Sequence, residues 1–270
     1  MRTLLICHEH AALDREGLAR WLGTFSTVVG TVVVREPPGR LRKRVVREIR
    51  RVGFWRFLDV LAFRLYYRLR QAPSDRHLEG RELEWLRTRF PDRPNAPEMI
   101  VGSPNSVKAE AFIRRSEPDM IIARCKTLLR EGIFSIPRLG AYAMHPGICP
   151  EYRNAHGCFW AMASGDAGNV GMTLLRIDAG VDTGPVFGYF RVDADPRESH
   201  VLTQHRAVLD HLDAIRDKLL EIAAGTAVPI DTQGRRSAVW GQPWLTALLR
   251  MQAATRRHDA KSLKSETSRS

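Results

Sequence analysis

The chain has 270 residues, 44% of them hydrophobic, and 42 Lys and Arg against 30 Asp and Glu give it a net charge of +12. That length buries a sizeable core and suits one domain with an appendage or two small domains, and no apolar run is long enough for a membrane span. Cys7, Cys125, Cys149 and Cys158 lack metal-ligand spacing and follow no secretory signal, so they read as reduced thiols in a cytoplasmic protein.

In chain order, the apolar run Arg2 to Cys7 predicts a first buried parallel strand, Ala11 to Trp21 a helix, and the β-branched run Val28 to Val34 a second buried strand. This β-α-β opening has the character of a nucleotide-binding fold, yet no Gly-x-Gly-x-x-Gly or P-loop motif follows the first strand. His8, Glu9 and His10 stand there instead. Ligands of open α/β sheets bind beyond the carboxyl ends of strands, which makes these residues candidates to line an acceptor cleft; a merely solvated loop is the alternative.

The segment Arg40 to Arg70 then interrupts with eleven basic residues against Glu48 and Asp59, a balance of +9 that holds most of the chain's charge. Phe54, Phe57, Leu58, Leu61, Leu65 and Leu69 recur at helical spacing with Arg56, Arg64 and Arg68 between them. The pattern predicts a basic amphipathic helix, or two broken near Gly53. Such an insertion packs on its own domain or on a second subunit, lies on an anionic membrane surface, or meets a phosphorylated or nucleic-acid partner. It matches no zinc finger or helix-turn-helix, so nucleic acid is disfavoured.

Further on, the pattern predicts a helix over Arg81 to Phe90, a strand over Met99 to Val101, a helix over Ser106 to Arg115 after the start signal Ser103-Pro104-Asn105, and a strand over Asp119 to Ala123. Lys126 to Ile136 is a loop and helix whose Leu128, Leu129, Ile133 and Phe134 suit a core. Ala141 to Met144 and Gly171 to Ile177 read as strands, the first delivering His145 onto a Pro/Gly-rich loop, the second ending at Asp178, Asp182 and Thr183. Val186 to Val192 is a further strand, His200 to Ala224 one long helix, Val228 to Ile230 a last strand and Trp244 to Met251 a docking helix. From Arg256 the composition predicts disorder. The division that follows is a domain over 1–239, with the basic insertion at 38–72, and a C-terminal helix and tail over 240–270.

One His and one Asp, each at the exit of a strand, are the parts a proton-transfer site needs. An imidazole titrates near neutrality, so His145 suits acid/base work or, as imidazolium, stabilisation of an oxyanion, and Asp182 suits orienting it.

The ordered motifs HPGICPEYR, FWA, SGD, GMT and DAGVDTGP, over about residues 98 to 195, resemble the core of the folate-dependent formyltransferases. That family includes glycinamide ribonucleotide, methionyl-tRNA and nucleotide-sugar N-formyltransferases. The resemblance implies a Rossmann-like, mostly parallel α/β sheet and transfer of a formyl group from 10-formyltetrahydrofolate, with no metal. His145 and Asp182 fall on the family's catalytic His and Asp, while Ala143 stands where the family carries Asn, a departure that removes one oxyanion donor. Asn154 and His156 are the nearest polar stand-ins. Lys126, Thr127, Leu128 and Leu129 match the loop that borders the folate pterin, and Gly180, with Gly184 and Asp178, the tight turn that approaches it. Arg153 falls at the position that contacts the acceptor or its phosphate, with a surface ion pair as the alternative. Thr173 either reaches toward Asp182 or fills a strand position suited to Thr. The wording FWA and YR is nearest the sugar enzymes, which implies an amino-sugar nucleotide or another small amine as acceptor. The tRNA enzymes carry a further C-terminal domain for which the residues after Ala224 are too few. A formyltetrahydrofolate hydrolase, or a folate- or partner-binding homologue without turnover, are the alternatives. The expected location is cytoplasmic, peripheral at the inner membrane surface if the basic helix meets lipid.

Overall fold

The computed structural model describes residues 1–35 and 40–267. Leu4, Leu5, Ile6 and Cys7 of β1 (Arg2–His8) are fully buried, as an apolar strand covered on both faces requires. A π-type turn, Leu13–Leu18, runs into the short α1 (Ala19–Gly23) and returns the chain to β2 (Thr27–Val34). The basic segment follows as α2 (Arg40–Val52) and α3 (Phe54–Tyr66), broken at Gly53 with φ 82, and then a second π-type turn and α4 (Ala72–Arg89). Next come β3 (Glu98–Val101), α5 (Val107–Ser116), β4 (Met120–Arg124), α6 (Glu131–Phe134) and β5 (Ala141–His145). The Ser106 hydroxyl caps α5 by accepting from the Ala109 amide at 3.3 Å.

After β5 the chain forms the two-residue β6 (Arg153–Asn154), α7 (Gly157–Ala163), β7 (Gly171–Arg176) and β8 (Val186–Arg191). It ends with α8 (His200–Leu209), α9 (Leu212–Ala224), β9 (Val239–Trp240) and α10 (Leu245–Thr267). The main sheet has the order β3-β2-β1-β4-β5-β7-β8; β1 to β5 pair in parallel, and β7 and β8 are antiparallel additions. This is the mostly parallel α/β sheet, with helices inserted after the second strand, that the sequence predicts.

Period-two alternation divides the core. Leu5, Cys7, Ile122, Tyr142 and Met144 face a cluster with Trp21, Phe159 and the inner side of α8 and α9. Leu4, Ile6, Val32, Ile121 and Ala123 face Phe112, Ile113 and Ile133 on the other side. The chain leaves β1 in one direction through β2 and β3 and returns beside it as β4, so the carboxyl ends of β1, β4 and β5 flank a topological switch point. His8, Arg124 and His145 stand at those ends.

The helix expected over Arg81 to Phe90 begins earlier, at Ala72, where Pro73 occupies the first turn and needs no amide partner. The single helix expected over His200 to Ala224 is two, divided at Asp210 and His211, whose φ of −121 leaves the helical range. Val228 to Ile230 is not a strand; Ile230 makes one bridge to Val186. Leu129 and Ile133 are buried as expected, but Leu128 is exposed. The tail expected to be disordered from Arg256 continues α10 to Thr267, its Ala, Leu, Lys and Arg residues being good helix formers. The boundary drawn at 239/240 falls inside β9, and positions 38, 39 and 268–270 of the expected insertion and tail lie outside the described residues.

Candidate active site

On β5, Tyr142 and Met144 face the core, and the strand's alternation puts Ala143 and His145 on the opposite face. His145 is buried at 6% exposure. Its Nε2 lies 2.9 Å from the Tyr152 carbonyl oxygen and its Nδ1 3.4 Å from Asp182 Oδ2. The loop after it is drawn tight by Thr173 of β7, the register partner of His145. The Thr173 hydroxyl donates to the Gly147 carbonyl at 2.6 Å and accepts from the Cys149 amide at 3.0 Å. Thr173 therefore shapes the His145 loop and has no hydrogen bond to Asp182. Gly147 packs so closely that a Cβ there would sit 2.9 Å from His145 Nε2 and 3.0 Å from Gly157 Cα.

Asp182 occupies a left-handed conformation, φ 51, in the turn after β7. Its Oδ2 accepts from the Asn154 amide at 2.7 Å, so the carboxylate is held between a main-chain donor and the imidazole. Asp178 fixes the same turn, its Oδ1 accepting from the Gly180 amide at 2.9 Å and from the Thr183 hydroxyl at 2.8 Å. A Cβ at Gly184 would fall on the Arg176 carbonyl oxygen and one at Gly180 on the Thr183 hydroxyl, which accounts for both glycines. The Arg153 guanidinium donates to the Val181 carbonyl at 3.0 Å, a contact within the turn in place of the surface ion pair.

Both ring nitrogens of His145 thus face oxygens. A carbonyl only accepts, so Nε2 carries a hydrogen; an ionised carboxylate also only accepts. With this ring orientation, Nδ1 is left beside Asp182 Oδ2, an ion pair whenever the ring is protonated.

The loop after β4 closes the other side. The Lys126 amide donates to His8 Nε2 at 3.0 Å, which ties the end of β1 to the loop's start. Asn105 stitches the rest, its Nδ2 donating to the Leu128 carbonyl and its Oδ1 accepting from the Arg130 amide, both at 2.8 Å. The Thr127 carbonyl accepts from the Cys125 thiol. Beneath, Arg124 donates to Asp14 Oδ1 at 3.0 Å and to the Met144 carbonyl at 2.7 Å, linking the end of β4 to the residue before His145. Sequence reasoning missed Asn105, Asp14 and Arg124; Asp14 and Arg124 meet across 110 positions of chain, and no local signal pairs them.

His156 goes elsewhere. In a left-handed conformation ahead of α7, its ring packs 5.1 Å from that of His200, with Gln204 Nε2 3.5 Å from its Nδ1. Burial first, then the His200, Lys126 and Arg64 charges, hold its pKa well below the ordinary value. Burial, with Lys126 second, brings His200 down to about 4. Asn154, φ 79, spends its amide side chain on the Trp240 carbonyl. Neither expected stand-in for the absent Asn is therefore aimed at the face of Ala143. Burial pushes all four thiols up, Cys125 to about 11 and Cys158 to about 12, so none supplies a thiolate near neutrality. No group of three or more His, Cys, Asp or Glu that could hold a metal occurs among the described residues.

Residues 104–212 match the formyl transferase family. A methionyl-tRNA formyltransferase of Thermotoga maritima is 32% identical over 113 residues, 42% of this chain and 34% of that protein. One from Microcystis aeruginosa is 38% identical over 94 residues, 33% of this chain and 29% of that protein. The chain spans about a third of the length of the curated relatives it matches. Among solved structures, a sugar N-formyltransferase from Shewanella sp FDAARGOS_354 superposes with a TM-score of 0.54 at 11% identity, over 93% of this chain and 87% of that one. Phosphoribosylglycinamide formyltransferase from Anaplasma phagocytophilum gives 0.54 at 12% identity, over 90% and 99%. These likenesses establish the shared fold. The matched segment 104–212, which contains both His145 and Asp182, is where the chain resembles the formyl transferase family.

Proposed function

We propose that the protein transfers the formyl group of 10-formyltetrahydrofolate to an amine of a small biosynthetic substrate, an amino-sugar nucleotide being the first choice. The observation that carries this reading is the His145–Asp182 pair, set at the carboxyl edge of the sheet inside the matched segment. The folate supplies an activated formyl carbon. What the chain supplies is charge and proton management: an imidazolium held by Asp182 and the Tyr152 carbonyl stabilises negative charge on the formyl oxygen and exchanges a proton with the reacting nitrogens, worth on the order of 10² to 10⁴ in rate.

The loop Lys126–Leu129 fits a pterin edge because His8 and Asn105 fix its main chain while Leu128 stays exposed. The Asp178–Gly180 turn faces the same chemistry from the other side of His145. Arg153, beside Val181, would meet the acceptor or its phosphate. Under this reading 1–239 is the formyltransferase domain and the acting form needs no metal.

Ala143 favours a second reading, a homologue that binds folate with little turnover, since its side chain donates nothing and Asn154 is committed to Trp240. The test is tetrahydrofolate release from 10-formyltetrahydrofolate by the purified protein, with and without a pool of amino-sugar nucleotides, alongside His145→Ala. Amine-dependent release that vanishes in the variant supports the transferase. Release without amine points to hydrolysis to formate. Folate binding without release supports the second reading.

A further inference from the structure

The inserted helix α3 is fastened by one side only. Phe57, Val60 and Phe63 are buried, Arg56 stacks 4.3 Å above the Trp244 ring, Asp59 accepts from the Thr246 amide at 3.0 Å, and Arg64 donates to Gln242 at 3.2 Å. Below it, Asp75 accepts from the Tyr67 hydroxyl at 2.9 Å and the Ser199 hydroxyl at 2.5 Å. The opposite side carries Phe54, Trp55, Leu58, Leu61 and Leu65, between 40% and 82% exposed, and the exposed Leu69 follows in the π-type turn. At 100° per residue, Phe54, Leu58, Leu61 and Leu65 fall within one narrow stripe of the helix, and the exposed Arg68 follows it in the next turn. Scattered exposed apolar residues need no explanation, but a stripe of four with Trp55 beside it does.

From this we infer that α3 is an interfacial helix that seats the protein on an anionic lipid surface, its apolar stripe entering the headgroup boundary and the exposed Arg68 and Arg70 that follow it meeting lipid phosphates. Charge selects this occupant. The segment Arg40 to Arg70 carries +9, which attracts an anionic leaflet and opposes the approach of a second copy bearing the same field. Trp55 and Phe54, at the helix start, have the chemistry of an interfacial belt. No helix among the described residues is long and apolar enough to cross a membrane, so the contact lies in the interface plane. The docked face ties α3 to Thr246 of α10 and to Gln242 and Trp244 just before it.

The experiment is co-sedimentation of the full chain with phosphatidylcholine vesicles, with and without phosphatidylglycerol, at low and high salt. The variants are Leu61→Ser/Leu65→Ser and Trp55→Ser, both at exposed positions, and Arg68→Glu. Expected is binding to the anionic vesicles alone, weakened about tenfold or more by salt or Arg68→Glu, and lost in the serine variants while their circular dichroism and melting temperature stay at the wild-type values. No sedimentation with anionic vesicles at low salt overturns the proposal, as does binding that the serine variants retain. A dimer in sizing experiments that Leu61→Ser/Leu65→Ser dissociates also overturns it and makes the stripe a subunit interface. These readouts need no formyl transfer and stand or fall apart from the proposed activity.

Discussion

The Arg124–Asp14 pair gives the sharpest test of how the site is supported. Both side chains are nearly enclosed, 9% and 11% exposed, with Nε 3.0 Å from Oδ1, and Arg124 also donates to the Met144 carbonyl at 2.7 Å. Arg124→Leu strands Asp14 as an uncompensated buried charge, a loss of about 3–5 kcal/mol, and removes the donor from the Met144 carbonyl, about 1 kcal/mol more. Adding Asp14→Leu removes the stranded charge. Replacing a whole buried pair by apolar residues is neutral or stabilising by about 1–4 kcal/mol, so the double variant should regain all but the ~1 kcal/mol tied to Met144. Urea midpoints of the four proteins, compared at equal m-values, measure the cycle. A coupling of at least about 3 kcal/mol is expected, and losses that add within ~0.5 kcal/mol would refute the reasoning. The double variant also separates stability from catalysis: a folded protein with reduced kcat would show that the Met144 contact places His145.

Other consequences of the same geometry are direct. Gly147→Ala puts a methyl 2.5 Å from the Tyr152 carbonyl oxygen and 2.9 Å from His145 Nε2 and should lower kcat by roughly 10² through displacement of the ring and the carbonyl that holds it, read by turnover beside the melting temperature; an unchanged kcat would show that the loop yields freely. Ala143→Asn returns an amide to the His145 face and should raise kcat by about 10² to 10³ if an oxyanion donor is what the site lacks, whereas a folded variant with no gain would refute that. Burial holds the folded-state pKa of His200 down at about 4 and that of His156 well below its ordinary value. Between the unfolded value of about 6.5 and the folded one, the unfolded chain binds more protons, so stability is complete above that window and falls as pH falls through it, by on the order of 3 kcal/mol for His200. His200→Phe, among Phe63, Tyr67 and Phe159, should flatten the decline in melting temperature from about pH 7 to about pH 5, and equal slopes for the two proteins would exclude His200 as its source.

What the sequence made legible follows from the range of each interaction. The strands β1, β2, β4 and β5 are apolar on both faces and announce themselves locally, and Gly53 marks the break between α2 and α3 because only a positive φ joins them. His145 and Asp182 were found by short motifs. The roles of Asn105, Asp14 and Arg124 were not legible, since Asp14 and Arg124 meet across 110 positions of chain and nothing in either local pattern names its partner. His156 misled for the same reason: its neighbour in sequence is the His145 loop, but its partner in space is His200 on α8. The break between α8 and α9 hides in a sequence whose apolar period continues across Asp210 and His211.

The support of His145 also depends on residues that look like an appendage. Trp240 stacks on Tyr152 at 5.8 Å and on Trp160 at 4.8 Å, and its indole donates to the Glu151 carbonyl at 2.9 Å. Its own carbonyl takes the Asn154 side chain, while β9 pairs with β6. Tyr152 supplies the carbonyl that holds His145 Nε2, and Asn154 the amide that holds Asp182. Two contacts that set the imidazole and its counter-charge are thus each one residue removed from Trp240. Arg235 adds a third tie, its Nη2 2.7 Å from Glu151. A segment that reads by composition as an outlying tail is therefore the outer wall of the loop on which the proposed chemistry rests, and it is continuous through Trp244 with the helix that anchors α3.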